Sequence, residues 1–111
     1  MTRNSKPDDV VLIYTTAASL VEAERIGAAL VADRLAACVN ILPGMRSIYR
    51  WKGAVERAEE VVMIVKTLRR QVAAARQALR AAHSYETPAF LLIEVPDGDP
   101  DYLAWLRAET G

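Results

Sequence analysis

One cysteine, Cys38, and one histidine, His83, are the only thiol and imidazole the chain offers to soft or borderline metals. A lone cysteine closes no intrachain disulfide, and a small secreted domain ordinarily relies on paired bridges, so a reducing, cytoplasmic setting is expected. Net charge is missing as well, because 14 Lys and Arg balance 14 Asp and Glu. No summed field draws the chain to nucleic acid or to an anionic membrane surface, and neither is expected as a partner. No apolar run nears the length needed to cross a bilayer, and residues 1–9, with Pro7, Asp8 and Asp9, lack the apolar centre of a signal peptide. These nine residues are expected to be a disordered tail, with residues 10–111 forming a single domain. The motifs G-x-x-x-x-G-K-S/T, G-x-G-x-x-G, C-x-x-C and G-x-S-x-G are absent. The common phosphate, dinucleotide, redox and hydrolase signatures are therefore missing, and nothing recommends an enzyme.

What is present is apolar surface in an ordered pattern. With 111 residues, 52% of them hydrophobic, the chain can bury one modest core and has no room for a second domain. Residues 10–15 (VVLIYT) form a nearly continuous β-branched and aromatic run, as in a strand covered on both faces. Ser19 and Glu22 make an S-x-x-E capping box, predicting a helix that ends near Leu35. Ala23, Ile26, Leu30 and Ala37 trace its apolar stripe, with Gly27 permitting close approach. Strand character returns at Cys38, is interrupted at Pro43-Gly44 by an expected bulge, and continues to Trp51. Lys52-Gly53 reads as a hairpin turn, and the return strand runs from Val55 to Thr67. Residues 69–82 predict a second amphipathic helix, 90–95 a fourth strand, and Asp99-Pro100 the start of a last helix burying Tyr102, Leu103 and Leu106. The order β-α-β-β-α-β with a short final helix is the ferredoxin-like α+β arrangement, an antiparallel sheet with two helices on one face.

The hairpin arms exceed the usual strand of about 5 to 6 residues. They are expected to overhang the core and to leave Ile48, Tyr49 and Trp51 in water unless another chain covers them. Self-association is therefore a physical expectation.

The stretch LAACVNILPGMRSIYRWKG, residues 35–53, together with residues 60–67, 85–88 and 101–106, resembles the CutA family of divalent-cation tolerance proteins. The resemblance covers nearly everything after residue 10. It implies a homotrimer similar to the PII signalling proteins, in which long hairpins reach across to neighbouring subunits. It also implies a tolerance role toward divalent cations, copper above all, with no established catalysis. Ligand proposals in some members use a Cys late in the first strand, a His pair and an acidic residue after the Pro. Thr15, Ala82-His83 and Ala89 stand at those positions here, and Ser84 replaces the Pro of an HPYE-like motif.

Read as chemistry, His83 suits Cu(II) or another divalent cation, Glu86 can add an oxygen, and Tyr85 stands beside them as a supporting partner. Set against this, a histidine ending a helix commonly offsets the negative end of its dipole. Cys38 joins the cleft only if folding brings it near, and a thiol in a buried strand is a poor nucleophile. Tyr49, Trp51 and Trp105 read as subunit-interface aromatics. Arg46, Arg50 and Lys52 either pair with Glu56, Glu59 and Glu60 across the hairpin or receive a small anion at a subunit cleft. The second option gives the alternative reading, a PII-like anion-binding or scaffold module. An RNA-binding surface is set aside, because VVMIV is aliphatic where that surface needs exposed aromatics.

Overall fold

The computed structural model describes residues 5–111, so residues 1–4 of the expected tail lie outside the described residues. The elements are β1 (Val10–Ala17), α1 (Leu20–Ala32), β2 (Cys38–Trp51), β3 (Ala54–Leu68), a 3-10 turn (Arg69–Gln71), α2 (Val72–Ala82), β4 (Leu91–Glu94) and α3 (Pro100–Glu109). Every strand pair is antiparallel, in the order β2-β3-β1-β4. No helix among the described residues is long and apolar enough to cross a membrane.

Local sequence accounts for most boundaries. Ser19 accepts a hydrogen bond from the Glu22 amide at 3.1 Å and opens α1. Glu22 departs from the simple capping box by reaching the Ala18 amide at 3.0 Å instead of the Ser19 amide. The helix stops at Ala32, earlier than expected, because Asp33 caps it and Arg34 turns left-handed with φ 58. Ala37 consequently leaves the helical stripe and packs in a separate small cluster. Gly27 is needed where α1 meets β2, since a Cβ there would stand 3.2 Å from Val39 Cγ1. The bulge falls between Leu42 and Met45, as Pro43-Gly44 predicts. The hairpin closes on Lys52 and Gly53, both with positive φ, which is the geometry of a type I′ turn.

Alternation along β1 and β3 sorts the core into two layers. Ile13, Ala17, Val61, Met63 and Val65 face α1 and α2, which contribute Ala23, Ile26, Leu30, Ala75 and Leu79. On the opposite face, Val10 and Leu68 pack under Leu106 of α3. Tyr102, expected to be buried there, is 42% exposed and stacks on Trp105 at the surface. Residues 7–9 of the expected tail lie against the end of β3. Pro7 and Asp9 carbonyls accept the Arg70 and Arg69 amides, and Asp8 pairs with Arg70, so charge and backbone bonds tie this segment to the end of β3.

β3 is 15 residues long and its neighbour β1 only 8, their pairing ending at Ala17 opposite Val61. Burial therefore runs out along the hairpin: β3 alternates into the core from Val61 onward, while 54–57 are open to solvent. Glu60 sits at this boundary. Gly53, at φ 83, holds a conformation that costs an L-residue about 1 kcal/mol. Gly53→Ala is expected to lower unfolding free energy by that amount in a urea melt, and an unchanged midpoint would show that the tip relaxes freely.

Candidate functional site, an acidic cleft at the root of the hairpin

Glu60 gathers hydroxyls from three parts of the chain. Ser47 Oγ on β2 donates at 2.6 Å, Tyr85 OH after α2 at 2.7 Å, and Thr16 Oγ1 on β1 at 3.2 Å. Burial opposes ionisation of this carboxyl, but the hydrogen bonds from Ser47, Tyr85 and Thr16 outweigh it and hold Glu60 below its ordinary value. The reverse applies to Tyr85, whose phenol is pushed well above its ordinary value by burial and by donating to Glu60. Glu60 is thus an anion at neutral pH and Tyr85 a fixed donor.

The segment carrying Tyr85 is clamped by backbone contacts. The Tyr85 amide donates to His83 Nδ1 at 2.9 Å. Because Nδ1 accepts, Nε2 carries the ring proton and donates to the Thr16 carbonyl at 2.6 Å. The Ser84 amide donates to the buried Glu22 at 2.8 Å, and Thr15 Oγ1 donates to the Ala89 carbonyl at 2.6 Å. Burial also opposes ionisation of Glu22, yet bonds from Ala18 and Ser84 bring its carboxyl below the ordinary value.

Above Glu60 opens a cleft of about 470 Å³, walled by Tyr49, Trp51, Tyr85 and Thr16, with Glu86 also lining it. Glu86, expected as a metal contact, is an exposed residue of the lining, and Tyr85, expected beside it, is the buttress. His83 departs from the expectation of a metal contact, since both ring nitrogens are engaged and no free lone pair remains for a cation in this conformation. Among the described residues no group of three or more His, Cys, Asp or Glu is arranged to hold a metal ion. Tyr49 and Trp51 are both 43% exposed. Trp105 stacks on Tyr102 and does not line the cleft. Cys38 stands at the far end of β2 opposite Lys66, only partly buried and outside the cleft. The expected charge pairing across the hairpin is not formed: Arg46 faces Glu59 in register, but no ion pair within 4 Å among the described residues joins the two arms. Arg46, Arg50 and Lys52 do not line the cleft either.

Sequence reasoning missed Glu60 as a site residue, together with Ser47 and Thr16. Nothing in the acidic patch marks Glu60 out, because its partners lie 13, 25 and 44 positions away.

The β-α-β-β-α-β order, the antiparallel sheet and the overlong hairpin define a ferredoxin-like α+β domain of the PII-like kind. Residues 11–109 match the family described as CutA1 divalent ion tolerance protein, and the chain belongs to that family. The divalent-cation tolerance protein CutA of Thermus thermophilus is 42% identical over 104 residues, 94% of this chain and 99% of that protein. The CutA of Pectobacterium atrosepticum is 43% identical over 100 residues, 90% of this chain and 91% of its own length. Among solved structures, CutA from Xylella fastidiosa is similar with a TM-score of 0.90 at 43% identity, covering 93% of this chain and 99% of its own.

Glu22 and Glu60 both bind a proton more weakly folded than unfolded. Their stabilisation is complete above the ordinary carboxyl value of 4.5 and is lost as pH falls through the lowered folded values. Tyr85→Phe removes one donor, so the Glu60 titration followed by carboxyl NMR is expected to move upward. An unmoved titration would mean that the Tyr85 hydroxyl does not support the carboxylate.

Proposed function

We propose that this chain is a homotrimer that takes up divalent cations, copper first, and so contributes to metal tolerance in the cytoplasm without catalysing a reaction. Membership of a divalent-cation tolerance family supports the metal half of this reading. The observation that carries it is the lining of the cleft, where ionised Glu60 stands with Glu86 and no lysine or arginine is present. Such a lining attracts a cation and repels the small anion of the alternative reading. Glu86 supplies the first oxygen ligand, with Glu60 as the charge behind it. His83 joins as a ligand only by giving up Thr16 or Tyr85, and its first role is to position Tyr85. The ligands that one chain does not gather come from a neighbouring subunit or from water.

The trimer is supported by surface that a lone chain leaves uncovered. Leu42, Ile48 and Val55 on the hairpin are each more than half exposed, and Leu91, Leu92 and Ile93 lie open on the β4 edge. Since β2 and β4 are the two sheet edges, head-to-tail contact of one copy's hairpin with the next copy's sheet closes a ring. Tyr49 and Trp51 then meet the neighbouring subunit at the mouth of the cleft.

Light scattering is expected to return three times the 12.2 kDa of one chain. Calorimetric titration of the metal-free protein with Cu(II) and Zn(II) is expected to show stoichiometric binding, weakened roughly tenfold by Glu86→Gln and less by His83→Ala. A monomeric mass overturns the assembly, and binding untouched by both substitutions overturns the cation site.

A further inference from the structure

We infer that the cleft also accepts a small organic cation, a primary ammonium carried on an aromatic or apolar body. The inference rests on the acidic cleft of the preceding reading, but not on metal binding or copper.

The first argument is stoichiometric. An ionised carboxylate has about four acceptor positions, and Ser47, Thr16 and Tyr85 already occupy three of those on Glu60. About one remains for a ligand. A divalent cation such as Ca²⁺ demands several oxygens, and borderline metals demand nitrogen or sulfur as well. An ammonium is satisfied by one charge-assisted hydrogen bond and the faces of aromatic rings.

The walls supply those rings. Tyr49, Trp51 and Tyr85 line the same space as Glu60, and Trp51 already carries a cation, with Lys52 Nζ 5.6 Å from its ring centroid. The volume makes the same distinction. About 470 Å³ lies within the range of sites for small organic molecules and far exceeds what a single metal ion fills. The carboxylate is also oriented before any ligand arrives, because its three hydroxyl donors belong to β1, β2 and the clamped segment after α2. Little ordering remains to be done on binding. Glu86 adds a second negative charge to the lining, and none of the lining residues is itself basic.

Phenethylammonium and its anionic shape-mate phenylacetate separate this inference from nonspecific apolar binding. Each is titrated into the full chain in the presence of EDTA, followed by tryptophan fluorescence and calorimetry. Phenethylammonium is expected to bind once per chain and to raise Tm, while phenylacetate does neither. Glu60→Gln and Trp51→Ala are each expected to weaken binding roughly tenfold. Trp51 is partly exposed, so its substitution keeps the test valid even if Glu60→Gln fails to fold. Equal binding of phenylacetate, binding unaffected by Trp51→Ala, or no response at about 10 mM overturns the inference. Copper uptake without an ammonium response leaves only the metal reading standing, and an ammonium response without copper uptake leaves only this one.

Discussion

A 15-residue strand whose inner neighbour β1 has only 8 residues must run beyond the layer that covers it. β3 is that strand, paired on one side with β1 along Val10–Ala17 and on the other with β2 up to the turn. Its inner half is held by both neighbours and by α1 and α2, and supplies Val61, Met63 and Val65 to the core. Its outer half has only β2 beside it. The step from one condition to the other falls at Glu60, where a carboxylate still reaches structured donors on β1 yet borders water. The candidate site exists because the sheet ends there.

The second element of that site is a segment held by backbone amides and carbonyls instead of by apolar packing. Glu22 takes the amides of Ala18 and Ser84, His83 bridges the Tyr85 amide and the Thr16 carbonyl, and Thr15 holds Ala89. These bonds fasten the turn after α2 to the start of α1 and to the end of β1. They set the direction of the Tyr85 hydroxyl, and that hydroxyl in turn helps keep Glu60 ionised. A side chain that looks like a metal ligand in one dimension thereby becomes a strut in three.

The same overhang explains why apolar rings stand in water at the cleft. Tyr49 and Trp51 belong to a hairpin that has outrun its own core, so they are free to serve a neighbour or a ligand. Both uses draw on one fact, the mismatch in strand length.

Local chemistry was legible in the sequence. The Ser19 cap, the Pro43-Gly44 bulge, the Lys52-Gly53 turn and the Asp99-Pro100 helix start each depend on contacts within a few residues, and each is where its residues predict. The helix stop at Ala32 and the surface position of Tyr102 were not legible, because a left-handed Arg34 and the limited cover of α3 are settled by tertiary fit. By itself the sequence determined the ferredoxin-like order and the excess length of the hairpin, since periodicity and turn residues are short-range signals. That Glu60, and not its acidic neighbours, meets Ser47, Thr16 and Tyr85, and that His83 spends both nitrogens on the backbone, was settled by contacts distant in sequence. Those pairings join residues up to 67 positions apart, and no pattern along a single chain encodes which of several like side chains will arrive.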